Sequence, residues 1–154
     1  MPSAVELRDG DLLLRPWRDG HAEAVGVGPG SDGEVGRYFG MPFGGFSADP
    51  DPSAPWFAIV ADGVPVGRIW FAAHARPFEV GYFLLPDAWG RGLATRALIL
   101  VRDWMAQPLV LCTHPRNVRS QRVAERAGFR RDGVVENYAQ FKDGETSALR
   151  FVYP

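Results

Sequence analysis

The spacing of apolar and polar positions divides the chain into short elements of changing period. LLLRP (12–16) predicts a first strand. WFAIVA and VGRIWFA, separated by Asp62-Gly63, predict a hairpin, because Asp-Gly supplies the positive φ that a two-residue turn needs. EVGYFLL (79–85) predicts a third strand, with Glu79, Gly81, Phe83 and Leu85 on one face and Val80, Tyr82 and Leu84 on the other. Ala94, Ala97, Leu98, Val101 and Met105 then recur at helical spacing, which marks a helix with a buried stripe. LVLC (109–112) is short and wholly apolar, as a central strand would be. Ser120, Val123, Ala124 and Ala127 mark a second helix ended by Gly128, and GVVENY and ALRFVY close the chain as strands.

One region breaks this pattern. Asp19 can cap a short helix carrying Ala22, Ala24 and Val25, but residues 26–55 are so dense in Gly and Pro that a long helix there would be costly. Loops with at most one short turn near residues 34–39 are expected. No internal repeat occurs. The order of elements predicts an α/β (α+β) fold: a mixed, mostly antiparallel central sheet of about six to seven strands flanked by helices. At 154 residues, 46% of them hydrophobic, the chain can bury one core but not two, so a single domain over residues 1–154 is expected, with a variable region at about 26–55.

Charge and cysteine content remove several function classes. A formal charge of -1 and a pI near 6.3 give no global basic field, so nucleic acid is not an expected partner. Any anion site must be local. Cys112 is the only cysteine, which excludes an intrachain disulfide and a cysteine metal cage, and His21, His74 and His114 are too scattered for a metal. His114 is expected at the surface or in a supporting position, and Cys112 as a packed thiol. No apolar run approaches the ~20 residues that span a bilayer, and no signal-peptide core opens the chain, so a cytoplasmic protein with no membrane partner is expected.

The chemistry concentrates in PDAWGRGLATRAL (86–98), where a strand hands over to a helix through glycines. The first amides of a helix lack internal partners and sit at the positive end of its dipole, so a glycine turn there makes an anion cradle. Two phosphate motifs fail: the turn has no lysine for a Walker loop, and Thr95 stands where the dinucleotide fingerprint needs its third glycine. A plain strand-to-helix turn remains the alternative.

THPRNVRSQRVAERAGF (113–129), directly after LVLC, adds a second motif. Together with EVGYFLLPDAWGRGLATRAL it resembles the GNAT superfamily of acetyl-coenzyme A dependent N-acetyltransferases, in the branch of the RimJ/RimL-type ribosomal-protein N-terminal acetyltransferases. The resemblance covers LLLRPWR (12–18) and nearly everything from Trp56 onward. The family's glycine turn has Gln or Arg, two residues, Gly, any residue, then Gly or Ala; Gly92 and Ala94 match, whereas Trp89 stands in the first position. The resemblance implies acetyl-coenzyme A as cofactor. It places Trp89, Gly90, Arg91, Gly92, Leu93, Ala94 and Thr95 against the pyrophosphate, with Leu84 and Leu85 offering backbone groups to the pantetheine where their strand splays from LVLC. Asn117 resembles the asparagine that contacts the pantetheine arm. Arg122, with Arg119 and Arg126, could reach the 3′-phosphate or form a solvated helix face beside Glu125.

Acetyl transfer through a tetrahedral intermediate needs a neutral amine, a stabilised oxyanion and a thiolate that can leave. Near pH 7.4 a lysine amine costs about 4 kcal/mol to neutralise, whereas an α-amine costs under about 1 kcal/mol. Glu79 is the candidate base, acting directly or through water, the alternative being an edge-strand carboxylate paired with Arg76 or Arg68. The amide of Leu84 or Leu85 is the candidate oxyanion donor. Many family members use a tyrosine to assist the thiolate, but Ala124 occupies that position. Ser120 is the substitute the resemblance suggests, or else a small residue at a helix contact, and Tyr138 is a weaker candidate acid. Tyr38, Phe39, Phe43 and Phe46 are expected to line or cover an acceptor cleft. The reading is thus an N-acetyltransferase acting on a small-molecule amine or a protein N-terminus, with room for a homodimer. Its rivals are a non-catalytic acyl-coenzyme A binding module and a nucleic-acid binder using the arginine helix.

Overall fold

A computed structural model describes residues 5–16, 40–41, 56–72 and 77–154. Ten strands and two helices of four or more residues lie within them: β1 (Leu7–Asp9), β2 (Leu12–Pro16), β3 (Gly40–Met41), β4 (Trp56–Ala61), β5 (Val64–Ala72), β6 (Phe78–Leu84), α1 (Leu93–Met105), β7 (Leu109–Thr113), α2 (Val118–Arg126), β8 (Arg130–Val135), β9 (Gln140–Phe141) and β10 (Ala148–Tyr153). Eight strands form one sheet in the order β1-β2-β4-β5-β6-β7-β10-β8, and β3 pairs with β9 separately. The sheet is therefore larger than the six to seven strands expected. The short β1 accounts for part of the difference: three residues, none of them fully buried, give little periodic signal, yet they pair with β2 through the turn at Gly10.

Every neighbouring pair in the main sheet is antiparallel except β6 and β7. Parallel strands need a long crossover, and α1 supplies it. The parallel pairing is brief. Only Phe78 with Leu109 and Glu79 with Val110 are in register, after which the rest of β6 and β7 run apart. A wedge therefore opens inside the sheet, as the splay from LVLC predicts.

Register fixes what lies on each face. Val80, Tyr82 and Leu84 share one face with Ile69 and Phe71, and this face joins Leu93, Ala97, Leu98 and Val101 of α1 and Val123 and Ala124 of α2 in one core. Each fully buried Leu or Val there contributes about 1.5–3 kcal/mol. Arg96 clamps α1 to the β1–β2 turn through Asp9 Oδ2 at 2.8 Å and Asp11 Oδ1 at 3.0 Å. The opposite face carries Arg68, Trp70, Glu79, Gly81, Phe83 and Cys112. Trp70 lies so close over Gly81 that an added Cβ would meet the indole at 2.5 Å.

Two boundaries differ from the sequence reading. The strand read at GVVENY begins earlier, at Arg130, and ends at Val135, because Asn137 takes a positive φ of 51° and turns the chain. Tyr138 consequently lies in a loop. β6 is also an interior strand, flanked by β5 and β7, so Glu79 is no edge-strand carboxylate. The expected helix at Asp19 lies outside the described residues, as does most of the stretch 26–55.

Candidate active site

The glycine turn follows β6 by way of a 3₁₀ turn at Pro86–Ala88. Gly90 and Gly92 have φ of 78° and 72°, a left-handed conformation that any L side chain would strain, and a Cβ on either would meet nothing within 4 Å. Gly92 is the N-cap of α1 and brings no side-chain cap, and the first intrahelical bond is Arg96 N–H to Gly92 O at 3.1 Å. The amides of the first turn of α1 have no acceptor within the helix and lie beside the open space at Gly90 and Gly92, at the positive end of a thirteen-residue helix. That is the donor set a pyrophosphate requires, so the residues present fit coenzyme A.

Trp89 explains how the turn departs from the motif without losing its shape. Its indole Nε1 donates to Leu84 O at 2.9 Å, and the Arg119 guanidinium lies 4.0 Å above its ring. The side chain therefore ties β6, the glycine turn and the start of α2 together. Leu84 and Leu85 are not equivalent. Leu85 N–H donates to Val66 O at 2.8 Å within the β5–β6 ladder. Because ladder bonds alternate residue by residue, the N–H and C=O of Leu84 turn the other way, into the wedge. Of the two candidate oxyanion donors, Leu85 is committed and Leu84 faces the gap.

On the helix side of the wedge, Asn117 caps α2, its Oδ1 accepting from Ser120 N–H at 3.2 Å. Ser120 Oγ accepts from the Tyr82 hydroxyl at 3.0 Å. Burial pushes the Tyr82 phenol up to about 12. Tyr82 is the residue that sequence reasoning missed: its place on the core face marked it as packing, and only the splay reveals a partner on α2. Ala124 is wholly buried in the core, one turn beyond Ser120. Arg122 is exposed on α2.

On the opposite face, Glu79 Oε2 accepts from the Tyr138 hydroxyl, which joins two candidates 59 residues apart in sequence. Burial, and after it the charge of Glu79, raises the Tyr138 phenol far above its ordinary value. The same two causes push the Cys112 thiol up to about 12, so it is a packed thiol and not a nucleophile. Tyr138 stacks on Phe141, and Phe141 packs edge-on to His114 with ring centres 4.7 Å apart. His114 is 2% exposed, so of the two placements expected for it, at the surface or in a supporting position, the surface one does not hold. Its Nδ1 accepts from Arg116 N–H at 3.0 Å, so Nε2 carries the proton and donates to Asp143 Oδ2 at 2.8 Å. The candidate acceptor residues Tyr38, Phe39, Phe43 and Phe46 lie outside the described residues. Among the described residues, no group of three or more His, Cys, Asp or Glu is placed to hold a metal, and no helix is long and apolar enough to cross a membrane.

Comparison with known proteins places this arrangement. Residues 11–130 match the family model of the acetyltransferase (GNAT) domain. Similar solved structures include an acetyltransferase (GNAT family) from Bacillus anthracis, at 22% identity and TM-score 0.76 over 97% of this chain and 98% of that one. RimJ of Mycobacterium smegmatis, solved with CoA-disulfide, has 20% identity and TM-score 0.75 over 97% and 85%. RimL, a ribosomal L7/L12 alpha-N-protein acetyltransferase solved with coenzyme A, has 15% identity and TM-score 0.77 over 97% of each chain. At these identities the structural likeness establishes a shared fold, while the family match spans most of the chain. The chain belongs to the GNAT family and is an acetyl-coenzyme A dependent acetyltransferase.

Proposed function

We propose that this protein transfers acetyl from acetyl-coenzyme A to a primary amine, either a small molecule or a protein or peptide N-terminus. The observation that carries the reading is the wedge between β6 and β7, with a carboxylate held on one face of the sheet and an uncapped helix start and a serine hydroxyl on the other. An amine and an acyl donor can meet through the sheet from opposite sides.

Acetyl-coenzyme A, when bound, supplies an acetyl group activated as a thioester. The amides of Gly90, Arg91, Gly92, Leu93, Ala94 and Thr95 hold its pyrophosphate, Trp89 supports the turn, and Leu84, Leu85 and Asn117 border the pantetheine path. Arg122 is the candidate for the 3′-phosphate. Glu79 takes the proton from the ammonium, directly or through water. Tyr138 orients that carboxylate by donating to it; its raised pKa makes it a poor proton source, so we assign it this role in place of the acid. The Leu84 N–H is the donor for the acyl oxygen as charge develops there. Ser120 donates to the departing thiolate. Tyr38, Phe39, Phe43 and Phe46, from the Gly/Pro-rich stretch, are assigned to the acceptor side, and the whole chain to one domain.

The test compares acceptors of matched shape. Small primary amines and peptides with a free α-amine should be acetylated, whereas tertiary amines and N-blocked peptides without lysine should not. Equal transfer to an alcohol or to water would overturn the amine assignment.

A further inference from the structure

Tyr82 and Ser120 stand on opposite sides of the wedge. Tyr82 lies on β6 three residues beyond Glu79, the last residue in register with β7, and Ser120 lies in the first turn of α2, the element after β7. Their hydrogen bond, 3.0 Å long, therefore spans the gap from strand to helix. The Tyr82 hydroxyl donates and Ser120 Oγ accepts. Tyr82 is half-buried against the core, where a phenol O–H left without an acceptor is costly, which favours keeping its proton on Ser120 Oγ. Burial also holds the phenol protonated through the neutral range.

A serine hydroxyl has one proton and two acceptor sites. With one acceptor site filled by Tyr82, the Ser120 proton must point elsewhere, and its backbone is already fixed through Asn117. We propose that Tyr82 is a positioning residue for the leaving thiolate: its hydroxyl holds Ser120 Oγ as an acceptor, which directs the single Ser120 proton at the coenzyme sulfur. The inference rests on the assignment of Ser120 to that sulfur. When the C–S bond breaks, its electron pair stays on sulfur and is met by the Ser120 O–H, while the amine proton goes to Glu79. No proton leaves Tyr82. A donor that polarises Ser120 strengthens the bond Ser120 gives. The device works from the sheet side, at the level of the α2 turn where Ala124 offers no hydroxyl of its own.

Tyr82→Phe should lower kcat about three- to tenfold and leave the dissociation constant for acetyl-coenzyme A within about twofold. It should also raise the thiol pKa of bound coenzyme A by about half a unit to one unit, read from thiolate ultraviolet absorbance of the complex titrated with coenzyme A alone. Ser120→Ala should move both readouts further, and adding Tyr82→Phe to it should change neither again. Site-specific 3-fluorotyrosine at position 82, a stronger donor of nearly the same shape, should shift both the opposite way. The inference is overturned if Tyr82→Phe lowers Tm and coenzyme affinity while the bound thiol pKa stays put, since the bond is then only a structural bridge. Additive losses in the double variant, or no response to fluorotyrosine, overturn it as well. If Ser120→Ala leaves both readouts unchanged, the assignment of Ser120 itself falls, and the inference with it.

Discussion

Glu79 and Tyr138 show what a single residue's position can and cannot reveal. Glu79 was legible as a base candidate because it is the carboxylate on the strand that leads into the glycine turn, on the face opposite Val80, Tyr82 and Leu84. Its partner was not, because Tyr138 arrives from a loop 59 residues later and no local period points to such a contact. The positive φ of Asn137 that turns Tyr138 out of the strand is likewise a tertiary outcome, for Asn only tolerates that conformation. If Glu79 is the base, Glu79→Gln should lower kcat by about 10²-fold at low pH, where the amine is protonated, and by much less at high pH, where it is already neutral. Tyr138→Phe should give a smaller loss of the same shape. A pH–rate profile parallel to the wild type in both variants would reassign the pair to structure.

At the scale of elements, the predicted hairpin, the helix stripe of α1 and the LVLC strand all appear where the spacing puts them, since each depends on a local period. What spacing cannot give is the length of the β6–β7 pairing. Only the register shows that it stops after Glu79, because the separation of two strands depends on what packs at both ends. The glycine turn was legible for the opposite reason: left-handed backbone demands glycine wherever it occurs. Acetyl-coenzyme A at ~100 times its dissociation constant should stabilise the fold by about 2.7 kcal/mol. In Gly92→Val that shift should vanish in a protein that still melts cooperatively. The added side chain meets no protein atom within 4 Å of its Cβ, and so would occupy the space left for the ligand, besides costing about 1–2 kcal/mol of left-handed strain. A coenzyme-induced shift of unchanged size would exclude the cradle.

For the molecule as a whole, the wedge makes the sheet a partition between two chemistries. Burial around Tyr82 on the helix side, and burial with the charge of Glu79 around the partly buried Cys112 and Tyr138 on the other, both hold protons that an unfolded chain would release at lower pH. Cys112 ordinarily loses its proton near 9.0 and Tyr82 near 10.0, but each is held to about 12 in the fold. Their contribution to stability is complete below pH 9 and is lost as pH rises toward 12. Tm should therefore fall through that window, and Cys112→Ala should flatten its lower part while leaving turnover within about twofold, since no step uses the thiol. Identical slopes for the two proteins, measured by thermal melts across pH 8–11, would contradict the assigned thiol environment. The central claim is that both sides of the wedge serve one transfer. It is tested most directly by mixing the protein with acetyl-coenzyme A and a panel of primary amines, then measuring free thiol and acetylated amine together. Thiol release that requires the amine, matches the acetylated product one for one and falls in Glu79→Gln is the predicted result. Tight binding of acetyl-coenzyme A with no amine-dependent release for any acceptor would contradict it.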